Sequence, residues 1–280
     1  MSNFPVFIAK FIPFVLCIFI LFPASYAATT SLHVVKYDGD GTTILNETNV
    51  TFEWMEENLP VYGDGITHYY LQGPVFVDDP DPGNEEMLRW NPEENKNVME
   101  KDLGAVKGTR VRDLCEIVGG MQQGDILVVK AVDGFSREFS YRNIYEPPPR
   151  QGPMIIAWWM ADEGYVPTYV HGMRLVFLAD NSTNPWGIHA MGVWDWHESA
   201  EEQYWYYYRQ GEEKYPTTTG LSVQYVSTLS IKPTDAGTPA LPSPASRGPN
   251  QPAREPLSLI TVVLALLVML GFHSTRGKSP

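Results

Sequence analysis

Cysteine is almost missing from this chain: among 280 residues only Cys17 and Cys115 carry a thiol. Cys17 falls in a stretch read below as a leader, so the exported part keeps Cys115 alone and a disulfide framework is excluded. Val15 and Leu16 before Cys17 are too bulky for a lipid-anchor context. Positive charge is the second scarcity, with 20 Lys and Arg against 33 Asp and Glu and a formal net charge of −13. A surface of that sign repels nucleic acid and anionic headgroups, so no nucleic-acid partner is expected. Neither an internal repeat, a phosphate loop, a dinucleotide fingerprint nor a Ser-His-Asp arrangement is found, which leaves those enzyme classes without a sequence basis. Two acidic stretches, Asp38-Gly39-Asp40-Gly41 and Asp78-Asp79-Pro80-Asp81 with Glu85-Glu86, each lack the full set of spaced oxygens that a calcium loop supplies.

Long apolar runs are present only at the two ends. Residues 4–22 are apolar apart from Lys10, and Ala24-Ser25-Tyr26-Ala27 puts small side chains at the positions a signal peptidase reads, so residues 1–27 are expected to be a signal peptide. An uncleaved N-terminal anchor is the alternative. Near the other end, Leu257 to Thr275 holds no charge beyond a titratable His273, and Arg276 and Lys278 follow. That matches the about 20 residues a membrane helix needs, with the basic residues inside. We therefore expect a transmembrane anchor over 256–275 and a short basic tail over 276–280; a segment exchanged for a lipid is the alternative. Residues 233–255 are rich in Pro, Ser, Gly, Thr and Ala and read as an extended stalk. Without Lys10, Arg276 and Lys278 the formal charge of residues 28–255 is −16.

Residues 28–232 then form one extracellular domain with enough chain for a substantial core. Strands are expected at Ser31–Tyr37, Ile126–Val132, Phe135–Tyr141, Met154–Met160, Met173–Ala179 and Ser222–Ile231, with a short helix carrying Phe52 to Leu59 after an Asn/Thr-rich turn. Val111, Leu114, Cys115 and Val118 fall at i, i+3, i+4 and i+7 of a second helix, with Thr109 as N-cap and Gly119-Gly120 at its end. Asp133-Gly134 marks a tight hairpin. Residues 60–100 are rich in Pro, Gly and Asp and read as loops. Strands outnumber helices, so the class is α+β, mostly β.

Candidate chemistry is carried by histidine and tryptophan. His68, His171, His189 and His197 are available imidazoles, and His189, Asp195, His197 and Glu198 crowd one short stretch. A spacing of eight between His189 and His197 fits neither a helical i, i+4 nor a strand i, i+2 metal pair, so hydrogen-bonded histidines compete with a metal site. Trp158, Trp159, Trp186, Trp194, Trp196 and Trp205 with Tyr204 to Tyr208 form either core or a stacking platform for sugars. If residues 194–197 are extended, Trp194 and Trp196 share a face with His197 opposite. Asn46, Asn49 and Asn181 each start an Asn-X-Ser/Thr acceptor sequence for glycans.

The order of these elements resembles the molybdopterin-binding domain of the sulfite-oxidase type. Leu32 to Tyr37 followed by Thr51 to Pro60, the helix Gly108 to Val118, the hairpin Asp133-Gly134-Phe135, and Met154 to Ala157 followed by His171, Gly172, Arg174, Leu175 and Val176 occupy that family's places. The stretches "NLPVYGDG", "GPVF", "NPWG" and "YPTTTGLSVQYVS" are similar to a domain of surface proteins of methanogenic archaea. The resemblance implies an oxidoreductase fold and assigns Arg174, with His171, to pterin holding. The family's metal-ligating cysteine is missing: residues 60–108 contain none, and "GITHYYLQGPVF" stands in its place. The Lys-Trp expected before the last strand is replaced by Thr217, Thr218, Thr219 and Gly220. A soft metal without its soft ligand makes a poor enzyme. The expectation is accordingly a membrane-anchored cell-surface protein whose domain is a binding or structural module with no cofactor, its face collecting His68, Arg174, Trp186, His189 and His197, and an envelope protein or glycan as partner. An extracytoplasmic molybdopterin-dependent oxidoreductase and an envelope carbohydrate-binding module remain the alternatives.

Overall fold

The computed structural model describes residues 28–76, 90 and 98–233. The stretches expected to be a signal peptide, a stalk (all but its first residue, Pro233), an anchor and a basic tail, and the acidic run around Asp78, lie outside the described residues. Among the described residues no helix is long and apolar enough to cross a membrane.

Fourteen strands and four short α-helices are described. The strands are β1 (Ser31–Tyr37), β2 (Ile44–Thr51), β3 (Val61–Tyr62), β4 (His68–Leu71), β5 (Asp102–Arg110), β6 (Asp125–Ala131), β7 (Ser136–Ser140), β8 (Met154–Met160), β9 (Gly164–Tyr165), β10 (Arg174–Phe177), β11 (Ala190–Met191), β12 (Tyr207–Gln210), β13 (Glu213–Pro216) and β14 (Val226–Pro233). The helices are α1 (Phe52–Asn58), α2 (Val111–Glu116), α3 (Tyr141–Tyr145) and α4 (Val193–Ser199). The domain is mostly β with few helices, as its composition of β-branched runs predicts.

Two sheets carry the fold. The first has the order β2-β1-β14-β6-β7, and the second runs β10-β8-β5-β4-β11 with β3 on β5 and β9 on β8. Neighbours are antiparallel except β1 with β14 and β4 with β11. Strand β8, "MIIAWWM", is buried through its first five residues on both sides, which explains why it reads as an unbroken apolar run rather than an alternating one. One core cluster draws on both sheets: Leu32, Leu127, Phe139 and Leu229 come from the first, and Val106, Ile155, Trp158 and Phe177 from the second. Phe139 of β7, Phe177 of β10 and Trp196 of α4 meet with centroids 5.9–6.1 Å apart and steep interplanar angles, the edge-on arrangement that ring quadrupoles favour.

Several expectations are corrected. Thr109 does not cap α2; it is buried in β5 and accepts the indole N–H of Trp158 at 3.1 Å, and Arg110 precedes the helix without a side-chain cap bond. Val118 lies past the helix end yet stays buried, because the chain turns back through Gly119 and Gly120, whose amides donate to the carbonyls of Glu116 and Cys115. The Asn/Thr-rich turn before α1 is strand β2, paired with β1 from Ile44 to Thr51 except at Leu45. Residues 60–100 are not loop throughout, since β3 and β4 lie there and β4 pairs with both β5 and β11. Residues 194–197 are helical, so Trp196 is buried while Trp194 is only half-buried. The hairpin at Asp133-Gly134 forms as expected, with Gly134 at φ 90°.

The ring triangle should dominate stability. Phe139→Ala is expected to cost about 3–5 kcal/mol in equilibrium denaturant unfolding, whereas Ile66→Ala, at a residue 80 % exposed, should stay within about 0.5 kcal/mol.

Candidate functional site

The structure sends the sequence candidates to different places. His68 lies on β4, exposed, with Nδ1 2.8 Å from Asp102 Oδ2. The parallel register of β4 with β11 sets His189 beside Tyr69, whose ring it meets edge-on at 5.4 Å. Alternation along β4 then turns His68 and Tyr70 to the other face, so His68 and His189 do not share a surface. Nδ1 of His189 donates to the Ala179 carbonyl at 3.0 Å, an acceptor that can only be met by a protonated ring nitrogen. Trp186 packs on Trp90 at 5.9 Å in a small second core with Val98 and Ala190. His197, on α4, stacks on Trp205 at 3.6 Å.

The acidic neighbours of these histidines have structural employment. Asp195 is fully buried, accepts the Gly192 amide at 3.0 Å as the N-terminal lock of α4, and pairs with Arg150 at 3.1 Å. Among the described residues no three His, Cys, Asp or Glu side chains converge into a metal-binding group. Asp40, in one of the two stretches considered for calcium, instead closes a turn: its carboxylate accepts the amides of Thr42 and Thr43 and the Thr43 hydroxyl. Asp64 does the same with Ile66 and Thr67. Both turns read Asp-Gly-X-Thr, and both glycines, Gly41 at φ 68° and Gly65 at φ 72°, take the left-handed conformation such a turn requires. Thr217 and Thr218 are likewise structural, since their hydroxyls donate to the Gln72 and Met191 carbonyls in the interior.

One pair of candidates is brought together. The segment 166–172 leads into β10, the edge strand of the second sheet, and places Tyr169, His171 and Arg174 side by side. The Ser222 hydroxyl donates its one proton to the Leu175 carbonyl at 2.6 Å and accepts Arg174 Nε–H at 2.8 Å, so one side of the guanidinium is fixed. Among the described residues no carboxylate lies within ion-pair distance of Arg174. Burial lowers the Arg174 pKa, and the Tyr169 phenol opposes that shift. Burial likewise raises Tyr169, with the Arg174 charge opposing, yet the Tyr169 hydroxyl is buried without meeting hydrogen-bond geometry with any partner among the described residues. Burial first, and the Arg174 charge second, hold His171 below its ordinary value, while Glu163 and Gln224 pull the other way.

The backbone around this cluster is tightly specified. Tyr225 donates its amide to the His171 carbonyl at 2.9 Å and its hydroxyl to the Val170 carbonyl at 2.7 Å. Glu163 accepts the Val170 amide. Tyr225 adopts φ 50°, and among the described residues it is the sole non-glycine with positive φ, a conformation that costs of order 1–3 kcal/mol and collects at ligand-holding sites. Tyr169, Ser222, Gln224 and Tyr225 were not singled out from sequence; the positive φ has no sequence signal, because Tyr is not a residue expected there.

Cys115 is a core residue. It is fully buried on α2, and burial pushes its thiol far above the ordinary range, reinforced by Glu116 and Asp113. The donor set therefore does not fit a thiolate-ligated molybdenum: the one described thiol offers neither access nor a thiolate. Compared with known proteins, the chain matches no family model, no curated protein and no solved structure.

The two Asp turns make a pH prediction. Thr67 and Ile66 hold Asp64 at about 2, and Thr43 and Thr42 hold Asp40 at about 2, both below the ordinary 3.8. A depressed folded-state value means that the stabilisation is present above the unfolded pKa and is lost as pH falls from 3.8 through 2. Carboxyl NMR titration should give midpoints near 2 for both, and Thr67→Val should raise the Asp64 midpoint while leaving Asp40 unmoved.

Proposed function

We propose that this chain is an exported, membrane-anchored cell-envelope protein whose domain resembles the sulfite-oxidase-type molybdopterin domain but serves as a binding module, taking an anionic group at Arg174. The observation that carries the reading is a half-buried guanidinium with no carboxylate partner among the described residues, beside a buried phenol with an unmet donor. A charge partly removed from water gains from a partner, and a buried hydroxyl is costly without a hydrogen bond. An anion with two or more oxygens, such as a phosphate or carboxylate, would accept from the free edge of the guanidinium and from Tyr169, and the net negative charge of the domain would make that site its local exception. His171, held toward its neutral form, would contribute a single donor rather than a second charge. The role of Arg174 is the one that the family resemblance also assigns.

Two features support a binding module over the alternatives. A pterin-dependent oxidoreductase needs a soft ligand, and Cys115 is inaccessible. A carbohydrate platform needs several tryptophans exposed together, whereas Trp90, Trp158 and Trp196 are buried, Trp186 covers Trp90, and Trp205 is covered by His197.

Inorganic phosphate and acetate serve as probes in calorimetry and thermal-shift titrations of the purified protein. Binding by the wild type that weakens by at least about tenfold in Tyr169→Phe and is lost in Arg174→Ala is expected. Tyr169→Phe should leave unliganded stability unchanged or raised, because it removes an unsatisfied group. Equal affinity in wild type and both variants would sink the anion site. Elemental analysis and pterin fluorescence of protein from its native host give the second readout: near-stoichiometric molybdenum or tungsten with pterin would replace this reading by an oxidoreductase with unusual ligation.

A further inference from the structure

Strand β2 is the edge of the first sheet, hydrogen-bonded among the described residues to β1 alone and eight residues long. Such an edge presents unpaired backbone donors and acceptors on which another chain can add a strand. The usual protections are thin here. "ILNETNVT" holds neither Pro nor Lys, and its one charged residue, Glu47, is engaged at 2.9 Å by His33 of the neighbouring strand. The only irregularity sits at the start, where pairing passes from Lys36–Asn46 to Tyr37–Ile44 and leaves Leu45 extra. Ile44 and Leu45 are 47 % and 56 % exposed, so the edge offers apolar contact as well as hydrogen bonds.

The same strand carries two acceptor sequences head to tail, Asn46-Glu47-Thr48 and Asn49-Val50-Thr51, and both asparagines are exposed. Side chains three apart in a strand project to opposite faces. Sugars at both positions would therefore flank the edge from both sides and bar a second strand from approaching. We propose that N-linked glycans on Asn46 and Asn49 cover the β2 edge and prevent the domain from pairing with a second copy of itself. In the transfer, the asparagine amide nitrogen forms a bond to the anomeric carbon of a lipid-phosphate-linked oligosaccharide; the anomeric C–O bond breaks, its electron pair leaves with the lipid phosphate, and the nitrogen gives up one proton. Asn181 is exposed on the 3-10 turn Asn181–Thr183, outside strand β2 and the first sheet, and serves as an internal control.

The inference rests on export to the envelope, so the two are tested side by side in full-length protein from membranes of the native host. Protease treatment of intact cells reports location, and glycopeptide mass spectrometry reports occupancy at Asn46, Asn49 and Asn181. Sedimentation in mild detergent then compares wild type, Asn46→Gln/Asn49→Gln, Asn181→Gln, and the double variant with Leu45→Lys added. Expected are occupied Asn46 and Asn49, a monomeric wild type, self-association at least about tenfold tighter in the double variant alone, and reversal by the added lysine. Removal of the glycans from the folded wild type should give the same association without any substitution. Bare Asn46 and Asn49 on a surface-located protein overturn the inference and leave the envelope reading standing, whereas a protein inaccessible from outside overturns the envelope reading itself. Occupied sites whose removal leaves a monomer overturn the shielding role.

Discussion

The meeting of Phe139, Phe177 and Trp196 is the contact on which the remainder of the domain depends. These rings come from the edge strand of one sheet, the edge strand of the other and the helix α4 that comes after both in the chain, and each is almost completely buried. Among the described residues no covalent link takes over their task, since Cys115 is a free thiol. The core must therefore hold the two sheets together by apolar burial and ring packing alone, which a chain of this size has enough area to do. Because β10 is one of the three elements locked there, the position of Arg174 at its start is inherited from that packing rather than from any local motif.

Around Arg174 the fold accepts unfavourable local states. A half-buried guanidinium has no carboxylate partner among the described residues, the phenol hydroxyl beside it meets no hydrogen-bond geometry there, and a tyrosine sits at positive φ. Elsewhere most buried polar side chains are matched, the Trp90 indole N–H being another that meets no partner among the described residues. Asn143 and Gln151 exchange hydrogen bonds with each other, with Ser140 and with the Ser199 carbonyl, and Gln72 is satisfied by three threonine and backbone partners. What gives the proposed anion site its weight is that the unmet Tyr169 hydroxyl lies beside a guanidinium with no carboxylate partner among the described residues, whereas the unmet Trp90 N–H lies in an apolar cluster with no charge at hand.

Much of the strand pattern was legible. Met154–Met160 and Ser31–Tyr37 appear with the boundaries that their apolar runs mark, and Asp133-Gly134 forms its hairpin, because both signals are local. Strand β5 was not legible, although it joins β3, β4 and β8. "DLGAVKGTR" carries two glycines and three charged residues, and Gly108 is there because the Ile156 carbonyl of β8 lies 2.4 Å from where a Cβ would stand. A residue chosen for a neighbour's close approach looks like a breaker when read in isolation. Thr109 misled for a similar reason, since its hydroxyl faces an indole across the sheet instead of the helix beside it in sequence.

By itself the sequence determined the class of the domain, its acidic character and the absence of a disulfide frame, because composition and short-range periodicity suffice for each. It also marked His171 and Arg174, through a family resemblance. Only the tertiary structure decided that these two sit together while His68, Trp186, His189 and His197 go their separate ways: parallel pairing of β4 with β11 turns His68 from His189, and a helix rather than a strand carries His197. Which side chains share a space depends on strand register and on packing between elements far apart in the chain, and neither leaves a periodic trace along it.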